Sequence, residues 1–415
     1  MQLPSLEGAR EAQKRLHSVV LETPFQWLER WSQKMEADVY LKREDLQQVR
    51  SFKIRGAYNK IVTLTPAERK QGLVCASAGN HAQGFAFSCR DLQIKGTVFM
   101  PLPTPRQKIE QVRMFGGKFV RIRLEGDTYD DSQKAARQFQ EENQSPFIHP
   151  FDDLDVIEGQ ATMALEIINQ AKKPLDYIFV PVGGGGLVSG MITIFRALSP
   201  QTKIIGVEPA GAPSMYQSLQ NKKITALRSI DKFVDGAAVK KVGALSFQIC
   251  QTHLDDCLIV EEGRICQEIL DLYNKEGIVA EPAGALALSA IEQYQAKLKG
   301  KQVGVLICGG NNDITRTPEI KERALLHQNL KHYFIVRFPQ RSGVLKDFVN
   351  KILGPTDDIT FFEYSKKNSR VNAPAVVGIQ IKSAEDFVPL VARMKAEGFY
   401  GEYLNDQPDL YQFLV

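Results

Sequence analysis

From Val39 onward, short apolar or β-branched runs alternate with longer stretches of helical period, a rhythm that admits few folds other than a parallel sheet covered by helices. The clearest strand runs are Gly72 to Ala76, Gly96 to Met100, Phe119 to Ile122, Tyr177 to Val182, Ile204 to Val207 and Val303 to Ile307. Between them the period predicts helices over Gln107 to Phe115, Thr128 to Asn143, Gly159 to Gln170, Leu187 to Ala197, Gly263 to Lys275 and Gly284 to Leu298. Runs that are apolar throughout, such as Tyr177 to Val182, suit a sheet buried on both faces. With 415 residues, 43% of them hydrophobic, the chain can bury a large core, and two βα layers side by side are expected.

The tail changes rhythm. A strand at His332 to Phe338, a helix at Gly343 to Leu353, strands near Ile359 to Lys366 and Ala375 to Ile381, a helix from Ser383 and a last strand give the order βαββαβ, the ferredoxin-like split unit. Ser383 and Asp386 have the spacing of a capping box at the second helix. The polar, helix-prone stretch Thr315 to Lys331 contains a neck, placed at residues 321–331, between a 1–320 part and a 332–415 part. The appendage has no catalytic cluster, which points to regulation or oligomerisation.

Charge excludes several partner classes. Lys plus Arg number 52 against 48 Asp plus Glu, and a net charge of +4 is too weak a field for nucleic acid or an anionic membrane. No run of 18 apolar residues occurs, and Met1 to Arg10 lacks the basic-then-apolar pattern of a signal peptide, so a cytoplasmic location is expected. The six cysteines form no C-x-x-C pair and read as reduced and mostly buried. No histidines or cysteines have metal-ligand spacing, and no metal is expected.

Two motifs stand out chemically. Ser51-Phe52-Lys53-Ile54-Arg55-Gly56-Ala57, shortly after Leu41-Lys42-Arg43-Glu44-Asp45-Leu46-Gln47, sets a lysine among apolar neighbours at the head of a helix. Desolvation and the positive helix end both lower its pKa, as a Schiff-base nucleophile and proton shuttle requires; a lysine snorkelling from a helix end is the plainer alternative. Gly183-Gly184-Gly185-Gly186 joins the Tyr177 strand to a helix beginning at Leu187, so backbone N–H groups and a helix dipole can converge on a phosphate. No Gly-Lys-Ser/Thr follows, which argues against a nucleoside triphosphate loop. Gly184-x-Gly186-x-x-Ser189 with Glu208 ending the next strand approximates a dinucleotide fingerprint, so an NAD-binding oxidoreductase is a rival, and a non-catalytic amino-acid sensor is another.

Supporting clusters lie at other strand ends. Ser77-Ala78-Gly79-Asn80-His81-Ala82-Gln83-Gly84 offers N–H groups to a carboxylate and an amide to a ring hydroxyl, or else simply caps a helix. His81 reads as a base or as a residue that orients its loop. Val303 to Asn312 ends in Cys308-Gly309-Gly310, with Cys308 an uncharged ligand partner or a buried core thiol. Glu281-Pro282-Ala283-Gly284-Ala285 and Asp235-Gly236-Ala237-Ala238-Val239 are weaker clusters.

Taken in order, these motifs resemble the threonine dehydratases, pyridoxal-phosphate enzymes of the tryptophan-synthase-β type, over roughly residues 5 to 320. In the tail, Arg337 to Leu345 and Ala375 to Ile379 resemble the ACT-like regulatory domain of the biosynthetic form. The resemblance implies Lys53 as the lysine joined to the cofactor, with Phe52 beside the ring. It implies Gly183, Gly184, Gly185, Gly186 and Leu187 around the phosphate, Asn80 on the ring 3-hydroxyl and Cys308 facing the pyridine nitrogen. Many relatives have serine at that last position; either side chain is neutral and would leave the nitrogen unprotonated, favouring prompt β-elimination over transamination. Ser77, Gly79, Asn80 and His81 would grip the substrate carboxylate.

The implied reaction is dehydration and deamination of L-threonine to 2-oxobutanoate and ammonia, the first step of isoleucine biosynthesis. Lys53 takes the Cα proton, and the cofactor phosphate or a water protonates the leaving hydroxyl. L-Serine is an alternative substrate, and a serine dehydratase or racemase the nearest alternative enzyme. Isoleucine would inhibit through the tail with valine opposing it, and a homotetramer or homodimer is expected. Some racemase-like relatives hold a cation after the strand ending in Glu208; here Pro209 to Ser214 brings no further carboxylate.

Overall fold

The computed structural model describes residues 2–364 and 372–407, which divide into two compact units, Met1–Thr315 and Arg316–Val415. Nine strands of the first unit are β1 (Phe25–Trp27), β2 (Asp38–Arg43), β3 (Leu73–Ala76), β4 (Gly96–Met100), β5 (Val120–Leu124), β6 (Tyr177–Pro181), β7 (Lys203–Pro209), β8 (Asp256–Val260) and β9 (Gln302–Ile307). They form a six-stranded sheet ordered β1-β2-β9-β6-β7-β8 and a three-stranded sheet ordered β3-β4-β5. All pairings except the antiparallel β1–β2 edge are parallel. Parallel neighbours need long crossovers, here mostly helical, and those helices cover the sheets. The two βα layers expected from the rhythm are thus present.

Parallel strands also bring their carboxyl ends to one edge, where open α/β sheets bind ligands. β6 runs into the four glycines, β9 into Cys308 and β2 into the turn at Glu44–Leu46. Helix Leu154–Gln170 is buried along most of its length between helices Lys53–Thr63 and Gly186–Leu198. Small residues permit this: a methyl on Gly159 would lie 2.6 Å from the Arg55 carbonyl oxygen, and one on Gly190 2.8 Å from the Ala161 nitrogen.

Several elements differ from the sequence reading. β2 and β8 are additional strands; Asp, Lys and Arg within β2 mask its strand pattern because Lys42 is buried against Glu166 instead of reaching solvent. The Leu154 helix starts five residues before Gly159, where the Asp153 carboxylate accepts the Val156 N–H and caps it. The run Gly284 to Leu298 is broken into helix Pro282–Ser289, a tight turn Ile291–Tyr294 and Gln295–Leu298. Ile291 and Tyr294 are both buried, and a three-residue turn brings that i, i+3 pair onto one side.

The second unit opens with helix Thr317–His327, so residues 321–331 hold the end of that helix and the first residue of the strand that follows. Strands β10 (Lys331–Pro339), β11 (Asp358–Tyr364), β12 (Asn372–Gln380) and β13 (Tyr400–Tyr403) form an antiparallel sheet ordered β11-β12-β10-β13. With helices Val344–Ile352 and Phe387–Ala396 this is the ferredoxin-like βαββαβ arrangement. The last two residues of the strand expected over Ile359 to Lys366 lie outside the described residues, as do 408–415 of the expected 332–415 part.

Candidate active site

Lys53 begins its helix, and the backbone fixes where it stands. Ser51 bridges to Gly309, the Phe52 N–H donates to the Cys308 carbonyl at 3.1 Å, and the Gly310 N–H to the Arg50 carbonyl at 2.9 Å. These bonds hold the Lys53 segment against the end of β9, so Lys53 and Cys308, 255 residues apart in sequence, share one cavity. Behind them helix Asn80–Asp91 approaches closely: a methyl on Gly84 would lie 3.1 Å from the Lys53 carbonyl oxygen.

The cavity is lined by Phe52, Lys53, Gly183–Leu187 and Cys308, together with Pro150, Phe151, Gln160, Pro181, Gly236, Ala237 and Ala283. Each of the four glycines is required by space or conformation. A methyl on Gly184 would penetrate the Phe151 ring at 2.3 Å, one on Gly186 would meet the Phe151 carbonyl at 2.6 Å, and one on Gly183 would meet the Ala237 backbone at 3.0 Å. Gly185, at φ +93°, occupies the left-handed region that favours glycine. Helix Gly186–Leu198 starts here, so its first N–H groups lack acceptors within the helix and its positive end lies at the cavity.

Lys53 is half-buried, and loss of hydration around its amine lowers its pKa to about 8. Its Nζ donates to the Pro150 carbonyl at 2.8 Å and lies 5.2 Å from the centre of the Phe52 ring. Burial pushes the Cys308 thiol well above its ordinary range, and its Sγ donates to the Ala283 carbonyl at 3.2 Å, so this group is neutral.

The residues expected to hold a carboxylate lie in the loop after β3, at Ser77 and Gly79, and at the start of the Asn80 helix. The Ser77 Oγ accepts the Gly79 N–H at 3.2 Å, and a side chain on Gly79 would meet no atom within 4 Å, so this loop faces open space. Asn80 reaches the carboxyl edge of β9, within 3.2 Å of where a Gly309 methyl would stand. The His81 ring points elsewhere: it is buried, bonds the Ile148 carbonyl at 2.9 Å, and loss of hydration depresses its pKa to about 3. It is a neutral ring orienting the loop, and what His81 can offer an anion is its backbone N–H. Ser77, Gly79, Asn80 and His81 are not among the lining residues of the glycine-loop cavity.

Residues the sequence does not single out, joined by Glu281 from one of its weaker clusters, complete the site. The His149 Nδ1 accepts the N–H groups of Phe151 at 3.3 Å and Asp152 at 2.8 Å, curling Pro150 and Phe151 over the glycine loop. Asp152 in turn accepts from the N–H groups of Ala244 and Leu245 and caps helix Ala244–His253. Glu281 is buried and accepts from the Asn80 Nδ2 at 2.5 Å; its only sequence signal is a position directly before Pro282, at a helix start.

The dinucleotide alternative fails at Glu208. That carboxylate is buried and accepts the N–H groups of Met215 and Tyr216 at 2.8 and 2.7 Å, which leaves it committed to helix Ser214–Gln220 and unable to bind a ribose. Among the described residues no group of three or more His, Cys, Asp and Glu is placed to hold a metal ion.

Comparison with known proteins agrees with this geometry. Residues 17–309 match the family model for pyridoxal-phosphate-dependent enzymes, and residues 322–414 match that for the C-terminal regulatory domain of threonine dehydratase. The biosynthetic L-threonine dehydratase IlvA of Bacillus subtilis is 51% identical over 405 residues, covering 98% of this chain and 96% of that one. That of Halalkalibacterium halodurans is 50% identical over 404 residues, or 97% of each chain. Among solved structures, the processed form of threonine deaminase isoform 2 from Solanum lycopersicum superposes with a TM-score of 0.73 at 36% identity, covering 78% of this chain and 91% of that one. Maize serine racemase gives the same TM-score at 29% identity, covering 79% and 99%. With a lysine-bearing cavity floored by four glycines, a second unit of the regulatory type and identity near one half along almost its whole length, the chain belongs to the biosynthetic L-threonine dehydratases, within the pyridoxal-phosphate-dependent enzymes.

Proposed function

We propose that this protein converts L-threonine to 2-oxobutanoate and ammonia with pyridoxal phosphate, with catalysis in residues 1–320 and regulation in residues 332–415 beyond a neck at 321–331. The observation that carries the reading is the half-buried, readily deprotonated amine of Lys53 facing a glycine-floored cavity. The cavity fits the cofactor. Side chains at Gly184 and Gly186 would collide with Phe151, so glycine alone keeps the backbone of this loop open to a phosphate, and Cys308 is an uncharged partner for a ring nitrogen. When bound, pyridoxal phosphate supplies an aldehyde that captures the substrate amine and a conjugated ring that accepts the electrons left at Cα.

The chain's own groups do the rest. N–H groups from Gly183 to Leu187 and the Gly186 helix end hold the phosphate. Phe52 would flank the ring, Asn80 would donate its free N–H to the 3-hydroxyl, and the neutral Cys308 would leave the ring nitrogen unprotonated. Ser77, Gly79, Asn80 and the His81 backbone receive the substrate carboxylate at a helix start. Lys53, once released, removes the Cα proton; a pKa near 8 leaves a useful neutral fraction at cellular pH. Isoleucine as inhibitor and valine as its antagonist would act on the second unit. A homotetramer or homodimer in the cytoplasm completes the reading, and among the described residues no helix is long and apolar enough to cross a membrane.

The test is a visible spectrum of the purified protein before and after borohydride, followed by a keto-acid assay with threonine. A yellow band that borohydride fixes onto Lys53, with 2-oxobutanoate formed, is the expected result. A protein that stays colourless with added pyridoxal phosphate overturns the reading.

A further inference from the structure

Glu281 lies just outside the cavity lining, and its carboxylate is closely confined. It is 4% exposed, and a methyl on Gly309 would come within 2.2 Å of its Oε1. Three side chains form a chain of hydrogen bonds here. The Asn311 Nδ2 donates to the Val49 carbonyl at 2.9 Å and to the Asn80 Oδ1 at 2.8 Å, and the Asn80 Nδ2 donates to the Glu281 Oε1 at 2.5 Å. A backbone carbonyl can only accept, so Val49 fixes which end of the Asn311 amide is nitrogen. That nitrogen then requires an oxygen from Asn80, and the other end of Asn80, its NH₂, faces a carboxylate. With its oxygen engaged and one N–H given to Glu281, Asn80 has a single N–H left for a third partner.

Resting on the reading that pyridoxal phosphate occupies the cavity, we propose that Glu281 is a positioning residue that locks Asn80 with its remaining N–H as a donor toward the cofactor's ring oxygen and sets a carboxylate charge next to that contact. A carboxylate accepts a stronger hydrogen bond than a neutral acid, so ionisation of Glu281 tightens its hold on the Asn80 amide and places a charge beside it. The titratable groups that act on Glu281 are Lys53 from its helix, the neutral thiol of Cys308 at the end of β9, and the ion-paired Asp235 and Lys108. Burial, with the Asp235 charge adding, raises the Glu281 carboxyl to about 7. Glu281 therefore gains its charge as the pH rises through neutrality.

The experiment uses holoenzyme of the wild type, E281Q, E281A, N80A and the E281A/N80A pair, following visible absorption of the bound cofactor from pH 6 to 9 and the dissociation constant for pyridoxal phosphate. Wild type is expected to titrate near neutrality. E281Q keeps an acceptor oxygen for Asn80 but no charge, so it binds cofactor within about three-fold of wild type and loses the neutral midpoint. E281A and N80A each weaken cofactor binding by about ten- to hundred-fold, and the pair is no weaker than N80A alone, because Glu281 acts through Asn80. A wild-type midpoint retained in E281Q, or losses that multiply in the pair, would overturn the proposal. If E281A fails to fold, the nearly isosteric E281Q decides alone. A wild-type protein that takes up no cofactor refutes the underlying reading, an outcome distinct from a coloured enzyme whose variants behave alike.

Discussion

A lysine proposed to act as a nucleophile is costly to take out of water, and Lys53 makes that cost measurable. Its pKa is about 8 in the fold against an ordinary 10.5, because burial disfavours the ammonium. Between those values the unfolded chain holds a proton that the folded chain does not, so the contribution of Lys53 improves as the pH rises through that window. Below pH 8 the penalty is present in full, amounting to about 3 kcal/mol. Cofactor-free K53M should therefore resist urea better than cofactor-free wild type at pH 7, with the gap closing toward pH 10.5; equal midpoints at pH 7 would show that the amine is hydrated. The same residue has the opposite effect on catalysis, since K53A should lose at least about 10³-fold in threonine turnover, read as keto-acid formation. Lys53, the four glycines and Cys308 were all legible in the sequence because each stands beside an unmistakable strand end or helix start. Phe151 was not: it enters the site only because His149 gathers the N–H groups of residues 151 and 152, a tertiary event with no local pattern.

Elements are held in register by a buried group of four charges, Lys42 at the end of β2, Glu44 in the turn after it, Arg55 on the Lys53 helix and Glu166 on the Leu154 helix. Arg55 reaches both carboxylates, its Nε and Nη2 to Glu44 at 2.8 Å each and its Nη1 to Glu166 at 2.6 Å, while the Lys42 Nζ meets Glu166 at 2.6 Å. All four are buried, so the network joins a strand to two helices two residues beyond Lys53. Removing one carboxylate strands the cations: E166A is expected to cost about 3–5 kcal/mol in urea unfolding. By contrast E11A, which breaks the exposed Lys14–Glu11 pair, should leave the midpoint unchanged. A loss in E166A no larger than that in E11A would mean that water reaches the cluster. The network also explains which elements the sequence disclosed. β6 and β9 are apolar and unmistakable, whereas β2 hides because period rules assign charged residues to solvent, and only the partner on a distant helix makes Lys42 a core residue.

At the scale of the molecule, chemistry and regulation occupy pieces with separate cores. Lys53, the glycine loop, Asn80, Glu281 and Cys308 all belong to Met1–Thr315, while the second unit packs Phe334, Val336, Phe338, Phe348, Val377 and Leu390 into a cluster of its own. The rhythm of the tail was legible because a one-sided antiparallel sheet alternates apolar and polar residues, as in β10, where Phe334, Val336 and Phe338 face inward. Regulation is a coupling free energy between two sites, so it disappears with either site while the chemistry of the other survives. A chain ending at Thr315 should turn over saturating threonine within about three-fold of the full-length enzyme and show no response to isoleucine; inhibition that persists in it would place the effector site in the catalytic unit. Separate cores also predict two urea transitions in the full-length protein. Because a ligand stabilises only the unit that binds it, isoleucine should raise the midpoint of the transition reported by the second unit, and pyridoxal phosphate that of the first. If isoleucine raised only the transition that pyridoxal phosphate raises, the second unit would not be its receptor.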